Sequence, residues 1–162
     1  MKTSTKLRLP PRIKALEAAG AIGDGRVHAH RGLDGSWRAT VESSDRTRKY
    51  TVIIVPEAPG KYRAYSTDNG TQLRGYIGYP IIAVLMLAGI LPRDPEIEET
   101  LKNIPWKKLN QQLRRYALVI EKIKQTATNK GLNPQKLENF MNTTRKKLAQ
   151  LTITYDPNLP NT

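Results

Sequence analysis

The stretch that decides the fold is residues 105–124, PWKKLNQQLRRYALVIEKIK. Apolar and aromatic residues recur in it at steps of three and four, the period of one helical face: Trp106, Leu109, Leu113, Tyr116, Ala117, Ile120 and Ile123. At roughly 100° per residue, these side chains share one sector of a helix. The opposite side collects five cations: Lys107, Lys108, Arg114, Arg115 and Lys122. The stretch therefore predicts one long helix with a buried face and a positively charged face.

Outward from this helix, start and stop signals predict two neighbours. Asp94-Pro95 is typical of a capped helix start, here of a helix to about residue 103. Gly131 ends the long helix, and Asn133-Pro134 begins a last one that runs to about residue 151. A link of only a few residues between the long helix and the last one predicts an antiparallel pair.

The other long apolar run is residues 76–91, YIGYPIIAVLMLAGIL. A bilayer span needs about 20 apolar residues, so this shorter run, interrupted by Gly and Pro, predicts a buried helix over about 80–90. Upstream, Pro10 and Pro11 introduce a helix over 10–20. Between these helices the apolar period falls to two, which predicts strands at about 25–31, 36–43, 48–55, 61–66 and 71–76, with Asn69-Gly70 as a hairpin turn.

These elements predict an α+β fold with an N-terminal helix, a five-stranded antiparallel meander sheet, a central apolar helix and a C-terminal basic antiparallel helix pair. We expect a single domain over residues 10–151, in which residues 10–92 hold the first helix, the sheet and the apolar helix, and residues 93–151 are helical. Residues 1–9 are predicted to be a flexible basic tail, and residues 152–162 a frayed C-terminal tail.

The chain has 162 residues, with 27 Lys and Arg against 14 Asp and Glu, a formal net charge of +13 and no cysteine. An excess of this size is typical of proteins that bind a polyanion. The absence of cysteine favours an intracellular, reducing compartment such as the cytoplasm over a disulfide-stabilised secreted class. The N-terminus has no apolar core of a secretory signal.

The placement of the cations predicts non-enzymatic binding of DNA or RNA, mainly through the phosphate backbone and a basic helical face. Residues 101–150 hold only two acids, Glu121 and Glu138, so few cations of this part have a helical ion-pair partner. The candidate binding residues are Lys107, Lys108, Arg114, Arg115, Lys122, Arg145, Lys146, Lys147, Lys6, Arg8, Arg12, Arg38 and Arg63. Two alternatives stay open: a protein-interaction module that docks an acidic partner, and a small enzyme that acts on nucleic acid.

Catalytic and metal chemistry have little support in the sequence. His28 and His30 point to the same side of a strand, but no cysteine or suitably placed acid completes a metal site. Neither a phosphate-cradling P-loop nor a nucleophile elbow is present. We therefore expect no cofactor, metal ion, catalytic residue or membrane contact, and the sequence leaves the oligomeric state and the choice between DNA and RNA open.

Overall fold

A computed structural model describes residues 3–162, in which seven α-helices pack against one six-stranded sheet. The strands are β1 (Thr5–Lys6), β2 (Val27–Arg31), β3 (Trp37–Glu42), β4 (Lys49–Ala58), β5 (Lys61–Ser66) and β6 (Thr152–Tyr155). The helices are α1 (Ile13–Gly23), α2 (Asn69–Arg74), α3 (Tyr79–Leu87), α4 (Pro95–Thr100), α5 (Trp106–Leu113), α6 (Tyr116–Asn129) and α7 (Pro134–Ala149), and a short 3-10 helix follows at Leu159–Asn161. The α+β class is as predicted.

The sheet has the order β1-β6-β5-β4-β3-β2. Strands β2 to β5 form the predicted antiparallel meander, with register pairs such as Ala39 with Val52. The prediction of five strands is wrong because both tails take part in the sheet. The strand β6 pairs in parallel with β5 and antiparallel with β1, so Thr5 lies opposite Tyr155.

The two predicted tails are ordered because each carries apolar side chains that the core buries. In β6, Ile153 and Tyr155 alternate with threonines and are almost fully buried. Leu7 is also buried, and its N–H donates to the carbonyl oxygen of Ile153 at 2.8 Å. The first two residues of the predicted flexible tail, Met1 and Lys2, lie outside the described residues.

The predicted fifth strand, residues 71–76, is instead the helix α2. The carboxylate of Asp68 accepts from the N–H of Thr71 at 3.1 Å and so caps the helix, and Gly75 ends it in the left-handed conformation at φ 70°. The Asn69-Gly70 pair therefore forms the first helical turn and not a hairpin. Asp68 also lies against Gly78, where a Cβ atom would come within 2.0 Å of its Oδ2, so α2 is held closely against the start of α3.

The helix α3 is the centre of the core, as its uniformly apolar sequence predicts. All residues from Pro80 to Met86 are buried. It contacts β2, β3, β4 and β5 on one side and α1 on another, and α1 in turn contacts α4 and α7. The apolar helix is thus enclosed between the sheet and a layer of helices.

The long helix predicted over residues 105–129 is divided into α5 and α6. Arg114 takes the left-handed conformation (φ 59°) and Arg115 is extended, which ends one helix and starts the next. Trp106 and Val119 are both buried, yet in one straight helix their side chains would point roughly 140° apart and could not face the same core. The break lets each half bury its own apolar side, and it leaves Tyr116 and Ala117, predicted as buried, exposed.

We expect the Arg114→Gly substitution to raise the free energy of unfolding by about 0.5 kcal/mol, since glycine has no Cβ to strain the left-handed conformation. The control is Lys122→Gly, because Lys122 is exposed in the middle of α6, where glycine should lower the free energy of unfolding by about 0.5–1 kcal/mol. Urea unfolding monitored by circular dichroism compares the two. An equal decrease of the free energy of unfolding in both variants would contradict a helix break at Arg114.

Candidate functional site

A cavity on the helical side of the molecule has a volume of about 580 Å³. It lies where α1, the β3–β4 loop, the α2–α3 junction and α5 meet. Its lining is polar, with five cations and two acids: Lys14, Arg26, Arg48, Arg74 and Lys107, with Glu17 and Asp68. Tyr50, Tyr76 and Tyr79 add aromatic surface. We call this space the first cavity.

Arg26 is the most deeply buried cation of the first cavity, with an exposed fraction of 1%. Its Nε donates to Oδ2 of Asp24 at 3.0 Å, and its Nη1 donates to the carbonyl oxygen of Glu42 at 2.8 Å. Its Nη2 is buried and has no hydrogen-bond partner among the described residues. A buried donor of a charged group without a partner is costly, and the bonds to Asp24 and Glu42 offset part of that cost.

A chain of polar contacts joins α1 to α5 at the same cavity. Lys14 Nζ lies 2.7 Å from Oε2 of Glu17, whose Oε1 accepts from Nδ2 of Asn110 at 3.1 Å. The contact with a carboxylate identifies the amide nitrogen of Asn110, so the other terminal atom is the oxygen Oδ1. Oδ1 is buried and has no hydrogen-bond partner in the described chain. Burial opposes the charge of Lys14, but the neighbouring Glu17 outweighs it and the pKa of Lys14 is raised.

The tyrosines form the aromatic part of the wall. The rings of Tyr50 and Tyr79 meet edge to face, with centroids 6.4 Å apart and an interplanar angle of 89°. Burial raises the pKa of Tyr79, and the nearby guanidinium of Arg26 acts in the opposite direction. Burial also raises the pKa of Tyr76 to about 12, against the effect of Lys14. These hydroxyls are therefore neutral hydrogen-bonding groups at physiological pH.

A second cavity of about 430 Å³ adjoins the first, and shares Arg74, Tyr76 and Asn110 with it. Its remaining lining is Pro11, Arg114, Arg115 and Tyr116, so the break between α5 and α6 forms one of its walls. The two cavities together are called the basic groove below. Four exposed arginines line it and have no carboxylate partner among residues 3–162: Arg48, Arg74, Arg114 and Arg115.

The five cations predicted on one helical face are separated by the helix break. Arg114 and Arg115 lie in the basic groove, and Lys108 and Lys122 are exposed elsewhere on α5 and α6. Lys107 lines the first cavity, but its Nζ lies 3.1 Å from Oδ2 of Asp45. The prediction of one continuous charged helical face is therefore wrong, since α5 and α6 are two separate helices.

Three of the predicted residues near the N-terminus and on α7 already have partners in the protein. Arg12 forms an ion pair with Glu138 at 2.5 Å, and Arg145 donates to the carbonyl oxygen of Pro10 at 3.2 Å. Arg8 donates to the carbonyl oxygen of Arg74, which brings it beside the basic groove. The other candidates of these segments, Lys6, Lys146 and Lys147, are exposed.

The two predicted cations of the sheet lie apart from the basic groove and line neither of its cavities. Arg63 is paired with Glu57 at 2.8 Å and with Asp156 at 2.7 Å. Arg38 donates to the carbonyl oxygen of Thr162 at 3.3 Å. The structure thus brings Arg114, Arg115 and Lys107 together and leaves Arg38 and Arg63 outside.

The histidines lie on the edge strand β2. His28 is largely exposed, and its Nε2 lies 3.1 Å from Oε1 of Glu42. Within residues 3–162, no group of three or more His, Cys, Asp or Glu side chains is placed to hold a metal ion. Neither histidine lines the basic groove.

Sequence reasoning missed Arg26, Arg48 and Arg74 as site residues. Arg26 follows Gly25, which takes the left-handed conformation at φ 69° and turns the chain before β2, and the side chain of Arg26 is buried. Arg74 was assigned to a strand that is a helix. The signal for α2 was present in the sequence, because Asp68 three residues before Thr71, with Gly75 after Arg74, is a typical capped helix.

The chain belongs to the family described as uncharacterised conserved protein UCP014422, whose model matches residues 7–154. The comparison with curated proteins and the comparison with solved structures each found no match. In the part of the chain that the structure describes, no helix is long and apolar enough to cross a membrane.

The ion-pair cluster of Arg12, Lys124 and Glu138 ties α1 to α6 and α7 and gives a pH-dependent prediction. Hydrogen bonds from Arg12 and Lys124 lower the pKa of Glu138 to about 2. Because the folded pKa lies below that of the unfolded chain, the stabilisation is complete above about pH 5 and is lost as the pH falls toward 2. We expect Glu138→Gln to lower the free energy of unfolding by about 1 kcal/mol at pH 7, after discounting for the solvent exposure of Arg12.

Urea titrations at pH 7 and pH 3 measure this effect. The difference in free energy of unfolding between the wild type and Glu138→Gln should narrow at pH 3, because Glu138 is then mostly protonated in the unfolded chain while the folded protein keeps it ionised down to about pH 2. The control is Glu121→Gln, since Glu121 is exposed and lies 3.9 Å from Lys124. This substitution should change the free energy of unfolding little at either pH. If the difference in free energy of unfolding between the wild type and Glu138→Gln were the same at both pH values, the ion-pair explanation would be contradicted.

Proposed function

We propose that this protein is a non-enzymatic nucleic-acid-binding protein whose contact surface is the basic groove. The observation that carries the proposal is that Arg48, Arg74, Arg114 and Arg115 line two adjoining cavities without a carboxylate partner in the described chain. Other exposed cations without an ion-pair partner in the described chain, such as Lys108, Lys122 and Lys147, line neither cavity. Guanidinium groups suit phosphate oxygens because they can donate two parallel hydrogen bonds.

The groove fits a single strand better than a duplex. Tyr76 lines both cavities, Tyr50 and Tyr79 the first and Tyr116 the second. Aromatic rings beside cations allow unpaired bases to stack while the phosphates meet the arginines, and the bases of a duplex are not accessible in this way. DNA and RNA both meet these requirements, and an intracellular location, expected from the lack of cysteine, agrees with either.

Some candidates from the sequence would extend this surface. Arg8 lies beside Arg74, and Arg145 is fixed to Pro10, next to the Pro11 that lines the second cavity. Arg12, Arg38 and Arg63 have protein partners and would contribute less, because a phosphate must first displace a carboxylate or a carbonyl group. We therefore centre the proposal on Arg114 and Arg115.

The double substitution Arg114→Glu and Arg115→Glu should weaken the binding of single-stranded oligonucleotides of every sequence alike. For single strands each lost phosphate contact removes about 0.7 from the slope of log affinity against log salt concentration. Two lost contacts should therefore flatten this slope by about 1.4. Fluorescence anisotropy titrations at several salt concentrations measure both quantities.

The matched control is Arg31→Glu with Lys61→Glu, which changes the net charge equally at two exposed cations outside both cavities. We expect it to lower the affinity much less, since only the long-range field changes. Equal effects of the two double variants would mean that net charge, and not the groove, attracts the strand. If the substitutions at Arg114 and Arg115 abolished binding to an acidic protein and left nucleic-acid binding unchanged, the protein-interaction alternative would be favoured.

A further inference from the structure

The basic groove runs along the helix α5. Lys107, in the first turn of α5, lines the first cavity, and Arg114, at the end of the helix, lines the second. Asn110 lies between them in the helix and lines both cavities. At a rise of about 1.5 Å per residue, Lys107 and Arg114 are about 10 Å apart along the helix axis. A strand bound in the groove therefore passes from one end of α5 to the other.

The loop between β3 and β4 forms the wall of the groove at the start of α5. The N–H of Lys107 donates to Oγ of Ser44 at 3.0 Å, and Lys107 Nζ lies 3.1 Å from Oδ2 of Asp45. Ser44 and Arg48 of this loop line the first cavity, and neither lines the second. A strand that follows α5 from the second cavity meets this wall, so a strand terminus fits here better than a continuing chain. We call this part of the groove, lined by Ser44, Arg48 and Lys107, its closed end.

The polar groups of the closed end are accessible to a ligand. Arg48 is exposed and has no carboxylate partner within residues 3–162, and the side chain of Lys107 is 42% exposed. Tyr50 lines the same cavity and is half-buried. Burial raises the pKa of Tyr50, and the neighbouring charges of Arg48 and Lys107 act in the opposite direction. The closed end therefore presents two cations beside a neutral hydroxyl group.

The acids around the closed end are held by donors of the protein itself. Glu17 lies 2.7 Å from Lys14 Nζ, and the carboxylate of Asp68 accepts from the N–H and the Oγ1 of Thr71. Glu17 and Asp68 are both buried. Asp45 does not line the cavity, and it accepts hydrogen bonds from its own loop as well as from Lys107. None of these acids competes for Arg48.

A terminal phosphate matches the closed end better than a phosphate within the strand. A phosphomonoester has three free oxygens and carries a charge of about −1.5 to −2 at pH 7. A phosphodiester within the strand has two free oxygens and a single charge. Two cations and a hydroxyl group can all donate to the oxygens of a phosphomonoester, and the guanidinium of Arg48 can donate two parallel hydrogen bonds.

We propose that the closed end of the basic groove binds the terminal phosphate of a single strand, with Arg48 as its main contact and Lys107 and the Tyr50 hydroxyl beside it. This inference rests on the proposed function, because it requires a strand in the basic groove. It adds that the protein binds single strands at one of their ends and not at any position along their length.

The test compares strands that differ only in their ends. The probes are single-stranded DNAs of one sequence and length, each labelled with fluorescein at the same internal base: a closed circle, a linear strand without terminal phosphate, and linear strands with a 5′-phosphate or a 3′-phosphate. We expect at least one phosphorylated strand to bind the wild type about tenfold more tightly than the circle, as charge-assisted hydrogen bonds to one phosphate provide. Anisotropy titrations at one salt concentration measure all four affinities, and the two phosphorylated strands distinguish the 5′ from the 3′ end.

A pair of arginine variants locates the effect. Arg48→Gln removes the main contact at the closed end, and the matched control Arg115→Gln removes the same charge from an exposed arginine of the second cavity. The preference for the phosphorylated strand over the circle should fall to about twofold or less in Arg48→Gln. In Arg115→Gln all four strands should bind more weakly, and the preference should persist, because the closed end is unchanged.

The outcomes separate the two proposals. Equal affinity of the wild type for the circle and both phosphorylated strands would overturn the end-binding inference and leave the proposed function standing. A linear strand without terminal phosphate that binds as tightly as the phosphorylated strands would also overturn it, as would a preference that persists in Arg48→Gln. The absence of binding to every strand at low salt would overturn the proposed function and this inference together. The wild-type comparison remains decisive even if a variant fails to fold.

Discussion

The need to cover the apolar helix α3 on every side governs the rest of the structure. Its residues from Pro80 to Met86 are buried all round, and a helix without a polar face has no stable position at a protein surface. The sheet covers one side and α1 covers another. This arrangement fixes where α1 ends, where α2 meets α3, and therefore where the polar ends of these elements come together.

The basic groove lies at that meeting point, and its polar groups are held by the core and not by flexible loops. Arg26 follows directly after α1 and is anchored by Asp24 and the backbone of Glu42. Asn110 is anchored through Glu17 on α1. Side chains held in this way would lose little conformational entropy if a ligand bound beside them. The exposed arginines Arg48, Arg74, Arg114 and Arg115 lack such anchors among residues 3–162.

The sequence predicted the parts of the fold that depend on local pattern. The strands from β2 to β5 and the apolar helix could be read from periodicity, as could the start of α7 at Asn133-Pro134. The break at Arg114 could not, because no Gly or Pro marks it and the cause is the different burial directions of Trp106 and Val119. The strands β1 and β6 were missed because a strand of two to four residues depends on its partner and has almost no intrinsic signal. For the site, the sequence showed the excess of cations but not which of them form ion pairs. The tertiary structure decides that Arg12 and Arg63 are paired with carboxylates and that Arg48 and Arg74, in the described part of the chain, are not.

The pairing of β6 between β1 and β5 has a consequence for biosynthesis. During synthesis, residues 152–155 are the last part of the sheet to leave the ribosome, so one edge of β5 has no partner strand until β6 emerges. An open edge is a site for pairing with other nascent chains. The segment at Thr5–Lys6, although made first, has no partner in the sheet until then. The first and the last strand of the sheet are therefore added together, once β6 is available.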